Sequence, residues 1–103
     1  MIASPPLTHS DFGPSPQVKA QVEELRQLAT IFPEPTLAEV LDDWQWLHAQ
    51  LGTPVMDQYW EQLVAVYEKK IVGSDPEDEL ALRVRLSKQM NLHPERFVIS
   101  YLG

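Results

Sequence analysis

The sequence predicts an all-α fold: a small compact bundle of three to five short helices behind a flexible N-terminal tail. Three observations lead there. Apolar residues recur at three- and four-residue spacing along most of the chain after residue 16. Thr36-Leu37-Ala38-Glu39 and Ser74-Asp75-Pro76-Glu77 both carry the capping-box pattern that opens a helix. Proline or glycine punctuates the periodic runs at Pro33, Gly52 and Gly73.

A chain of 103 residues suits one domain. Residues 1–15 are expected to be a flexible Pro-rich tail, because a segment with Pro5, Pro6 and Pro14 among small polar residues buries too little apolar surface to offset its ordering entropy. Residues 16–103 are expected to form the single helical domain. Ser15 and Pro16 read as N-cap and first helical position, and Val18, Val22, Leu25, Ala29 and Phe32 follow as one stripe. This helix should end before Pro33, since proline excludes the helical conformation from the residue preceding it.

The second helix starts at the Thr36 box and carries Leu37, Val40, Leu41, Trp44, Leu47, His48 and Leu51 on one face, with Gly52 placed to end it in a left-handed conformation. A third helix is expected from Thr53-Pro54 to about Ile71. Met56, Tyr59, Trp60, Leu63, Val64, Tyr67 and Ile71 give it an apolar arc broad enough for two neighbours. Gly73 closes it, and the Ser74 box opens a fourth. Leu80, Leu82, Val84 and Leu86 alternate with Ala81, Arg83 and Arg85, a strand period, but the caps and the helix-forming residues favour a helix buried on two sides. A short helix is expected after Pro94, although Phe97-Val98-Ile99 is β-prone.

The stretch Asp42-Asp43-Trp44-Gln45-Trp46-Leu47-His48 poses a geometric question. With Trp44 at the centre of the apolar face, Trp46 lies about 160–180° away on the wheel. An indole among Asp42, Asp43 and Gln50 is expected either to anchor a protein partner, because tryptophan is over-represented among residues that dominate binding energy, or to be covered within its own chain by the N-terminal tail or the C-terminal segment. These four residues form the expected partner-binding surface. Leu82, Leu86 and Met90, on the spare side of the fourth helix, are assigned to self-association as a homodimer.

Composition excludes several classes. Net charge is −7, and no Lys or Arg lies between Arg26 and Lys69, whereas Glu34, Glu39, Asp42, Asp43, Asp57, Glu61 and Glu68 do. Phosphate backbones are therefore poor partners, and a basic protein surface is the better one. No apolar run is long enough to cross a membrane. The absence of cysteine removes thiolate chemistry and fits a reducing, cytoplasmic setting. His9, His48 and His93 are too scattered for a metal site, and the acids are explained by caps or diverge on a helix. With no Gly-rich phosphate loop either, no catalytic residue, metal or cofactor is expected.

Two further likenesses bear on function. Residues 83–102 have the outline of a helix-turn-helix, with a turn near Asn91 and a second short helix, which would make the chain a DNA-binding regulator using Arg83, Arg85, Lys88 and Arg96. The Asp42-Asp43 pair followed by Leu47-His48 and Leu51, with tryptophans between, resembles part of the fluorescence recovery protein family. That resemblance implies a small helical dimer acting on a light-activated carotenoid protein. It covers about ten residues of 103, and the basic residue expected shortly downstream is missing. The expectation retained is a non-catalytic acidic protein that binds another protein as adaptor, regulator or assembly factor.

Overall fold

A computed structural model describes residues 15–103. The tail expected over residues 1–15 thus lies outside the described residues except for Ser15. Helix α1, Pro16–Ile31, begins as its sequence dictates: the Ser15 hydroxyl accepts the Val18 N–H at 3.1 Å, with proline in the first turn. Phe32, extended before Pro33, ends it. Helix α2, Leu37–Gln50, starts on a complete capping box, Thr36 Oγ accepting from Glu39 N at 3.2 Å and Glu39 Oε1 from Thr36 N at 2.9 Å. Past Leu51, Gly52 takes a φ of +85°, where a side chain would be strained.

Beyond Gly52 the all-α expectation fails, and the molecule is α+β. The third helix is a single turn, α3, Pro54–Asp57. Successive i→i+3 hydrogen bonds from Thr53 to Gln62, together with Glu61 at φ +62°, carry the chain out of the turn. It then enters strand β1, Gln62–Val66, followed by β2, Ile71–Asp75. Helix α4, Glu79–Met90, a 3-10 turn, Pro94–Arg96, and strand β3, Val98–Leu102, complete the fold. The sheet has the order β2-β1-β3 and both pairings are antiparallel. The helical-bundle description, and with it the likeness to an all-helical dimer, is overturned by this sheet.

The misreading has a physical cause. Central strand β1 is covered on both faces. Val64 and Val66 join Leu47, Met56, Val98 and Leu102 beneath α2, while Leu63 and Ala65 join Leu82, Leu86 and Phe97 beneath α4. A strand buried on both sides reads as a continuous apolar run, which hydropathy alone does not distinguish from a buried helix.

The fourth helix exists, but its cap is Asp78, whose carboxylate accepts the Ala81 N–H at 2.9 Å. Ser74 belongs to β2, and Asp75 instead ties the loop by accepting from Glu77 N and Asp78 N. Gly73 does not end a helix. It lies in β2 where α4 presses on the sheet, so that an added Cβ would sit 3.2 Å from methyl groups of Leu82 and Leu86. Helix α4 is buried on two sides as its alternating pattern requires: Leu82 and Leu86 face the sheet, Val84 lies nearly opposite and is buried too, and α1 packs along the helix. An ion pair between Lys88 and Glu24 joins α1 to α4. Asn91, at φ 56° and ψ 51°, caps α4 in the left-handed conformation. Among the described residues no helix is long and apolar enough to cross a membrane.

Candidate functional site

Helix α2 has three sides, and each has a different role. The inward side is organised by Asp43, 1% exposed and the most buried charge in the described chain. The hairpin between β1 and β2 turns through Glu68 and Lys69, both at positive φ (50° and 60°), with Tyr67 and Lys70 exchanging backbone hydrogen bonds across it. A two-residue turn of this kind normally calls for Asn-Gly or Asp-Gly. Here the turn is held from outside instead: the two carboxylate oxygens of Asp43 accept the N–H groups of Glu68 (3.0 Å) and Lys69 (2.9 Å).

Arg96 completes the arrangement. Its Nη1 donates to Asp43 Oδ2 at 2.6 Å, its Nε lies 3.7 Å from Glu39, and its guanidinium stacks 4.5 Å from the Tyr67 ring centroid. The proline-led 3-10 turn delivers this side chain, and the His93 Nδ1 accepts the Glu95 N–H at its start. The Glu39 carboxyl is held below its ordinary range, first by the Thr36 N–H, then by the Thr36 hydroxyl, and then by the Arg96 charge. No side-chain polar atom buried among the described residues lacks a partner. A buried charge so fully satisfied holds the elements around it together.

This cluster reverses the expected roles of the two tryptophans. Because Asp43 turns inward, the buried side of α2 centres near Asp43 and Leu47. Trp46 is partly buried and packs on the core formed by Leu47, Met56, Val64 and Leu102. Gln50 is half-buried, and of the four expected partner-binding residues only Asp42 is exposed. Trp46, Asp42, Asp43 and Gln50 therefore do not form one outward surface. Leu82 and Leu86 are covered by the sheet and Met90 packs against the same cluster, so α4 has no spare apolar side for self-association. Residues 83–102 form helix, 3-10 turn and strand. The second helix of a helix-turn-helix is absent, Arg96 is buried, and Arg83 is spent on the carbonyls of Pro94 (2.7 Å) and Phe97 (3.0 Å).

The second side of α2 is the one that sequence reasoning missed. Leu37 is 73% exposed, Leu41 43%, Trp44 40% and Leu51 50%, and His48 is exposed beside them. The Trp44 and His48 rings meet edge to face at 4.7 Å. The spacing 37, 41, 44, 48, 51 alternates four and three, the seam of a helix that packs against another helix. Its signal was present in the sequence: Leu37, Val40, Leu41, Trp44, Leu47, His48 and Leu51 make a stripe too wide for one contact. The third side, through Ala38, Gln45, Ala49 and Asp42, is polar or small and faces solvent.

A cleft of about 580 Å³ lies between α1 and the 3-10 turn, with Val22, Leu25, Arg26, Arg83, His93 and Glu95 on its walls. Arg83 and His93 are engaged there in the backbone hydrogen bonds already described. Among the described residues no three His, Asp or Glu side chains converge as metal ligands would. No family model matches the chain, and no curated protein or solved structure is significantly similar to it.

Proposed function

We propose that this chain is a non-catalytic protein-binding module, an adaptor or regulator whose contact surface is the outer side of α2. The observation that supports this reading is the seam of Leu37, Leu41, Trp44, His48 and Leu51, which the other described residues leave exposed. An aromatic and three leucines at heptad spacing offer a partner helix both apolar area and an anchoring indole. The acids of α2 contribute less than net charge suggests. Arg96 neutralises Asp43 and lies beside Glu39, which leaves Asp42 as the free carboxylate of that helix. Contact is therefore driven by the apolar seam rather than by attraction to a basic surface. The cysteine-free composition suits work in the reducing cytoplasm.

The test is capture. The immobilised full chain is expected to retain partner proteins from a lysate of its source cells. Leu41→Glu should lose them, because a carboxylate in the middle of an apolar contact must be desolvated without a partner. Trp60→Ala, an exposed aromatic on the segment after α3, should retain them. Equal capture by wild type and Leu41→Glu would refute the reading.

A further inference from the structure

We infer that the occupant of the α2 seam is a second copy of this chain, laid antiparallel with the two-fold axis within one turn of Trp44. The inference rests on the reading of that surface as a protein contact, and names the partner.

Three observations carry it. The first is self-complementarity. Trp44 is the third of five seam positions, so an antiparallel copy sets leucines near Leu37 against the partner's His48 and Leu51, and any register that opposes apolar positions keeps the two indoles close to the axis. The second is charge. Glu39, Asp42 and Asp43 all lie in the first half of α2, whereas Trp44 to Leu51 contains no acid and one histidine. With Asp43 neutralised by Arg96 and Glu39 lying beside the same guanidinium, Asp42 is the acid that counts: an antiparallel pair sets it level with the acid-free half of the other copy and opposes the helix dipoles, while a parallel pair would align the two Asp42 carboxylates and the dipoles. The third is area. The exposed parts of the seam side chains amount to on the order of 500 Å² per copy, near the ~600 Å² per partner at which stable interfaces begin, and Val55 just past the Gly52 turn is half exposed as well.

Sedimentation equilibrium and light scattering of the full chain test this directly. The wild type is expected to be a dimer at micromolar concentration. Leu41→Glu should be a folded monomer by circular dichroism. His48→Leu, which replaces a polar group in the seam by an apolar one, should tighten the dimer about tenfold. Because the chain has no cysteine, single substitutions report geometry. Gln45→Cys flanks the seam near the axis and is expected to form a covalent dimer on mild oxidation. Ala38→Cys should not, since the antiparallel arrangement carries it to the far end from its own copy. Covalent dimer from Ala38→Cys but not Gln45→Cys would overturn the antiparallel pairing. A strict monomer at high concentration would overturn the dimer altogether. If that monomer still captured other proteins through a Leu41-dependent surface, the self-pairing would be wrong and the protein-binding reading would stand. If Leu41→Glu also left capture unchanged, both would fall.

Discussion

Asp43 and Arg96 meet at 2.6 Å across 53 residues of sequence, and the same aspartate holds the backbone of the β1–β2 turn. One carboxylate thus joins α2, the hairpin and the 3-10 turn that precedes β3. Removing it alone would leave a buried guanidinium with only the longer Glu39 contact, at 3.7 Å, and two N–H groups without their carboxylate acceptor. Asp43→Ala is expected to cost about 3–5 kcal/mol in urea unfolding. Adding Arg96→Met to that variant should recover part of the loss, because it removes a buried charge that has lost its closest counter-ion. A double mutant no more stable than Asp43→Ala would show that the turn, not the ion pair, is the essential partner.

The hairpin itself should be improvable. Glu68 and Lys69 adopt positive φ without the residues suited to it. Replacing the pair by Asn-Gly is expected to stabilise the protein by about 1 kcal/mol, read as a higher urea midpoint at unchanged slope. The gain should be larger in the Asp43→Ala background, where no carboxylate holds the turn. A loss in either background would contradict the assigned geometry.

The two tryptophans should separate in unfolding experiments. Run on the Leu41→Glu background, so that association does not contribute, Trp46→Ala is expected to lose about 3 kcal/mol because it opens the core beneath α2. Trp44→Ala should lose about 1 kcal/mol or less. The opposite order would mean that α2 is rotated about its axis relative to the described structure.

Acid should unfold the protein partly through two identified carboxyls. Glu39 is held low chiefly by the Thr36 N–H, and Asp75 chiefly by the Asp78 N–H and then the Glu77 N–H. A carboxyl with a depressed pKa in the folded state binds fewer protons there than in the unfolded chain. Its contribution is therefore complete above the ordinary carboxylate range of about 4 and is lost as pH falls below it. Urea midpoints should drop through that window. The double substitution Glu39→Gln, Asp75→Asn should start lower at neutral pH and fall less steeply, and an unchanged acid limb would exclude these two groups as its source.

The legibility of this fold in its sequence follows the range of the interactions involved. Helices α1 and α2 were readable because Ser15, Thr36, Glu39, Pro33 and Gly52 act within three or four residues of where they stand. The sheet was not, because its determinants are distant. β1 is apolar on both faces and gave no alternation. The hairpin turn carries Glu-Lys rather than Asn-Gly, since its stabilising carboxylate comes from Asp43, 25 residues upstream. The same distant interaction misled the wheel for α2: a charged residue turned inward cannot be found by hydropathy, and it rotates the apolar stripe halfway out of the core. The β character of Phe97-Val98-Ile99 was visible, but without β1 as a strand it had nothing to pair with.

The pairing of β1 with β3 constrains how this polypeptide can acquire its structure. Gln62 to Val66 align with Leu102 to Val98, so the middle strand gains its second neighbour from a segment more than 30 residues downstream. Loop closure over such separations is slow compared with helix formation. Helices α1 and α2 can form locally, while amide protons of β1 should become protected from exchange only when residues 98–102 have docked. A proteolytic cut between Asn91 and Arg96 would sever that strand and the Arg96 strut from the framework they complete, leaving the upstream segment with an open sheet edge where a hydrogen-bonded ladder had been.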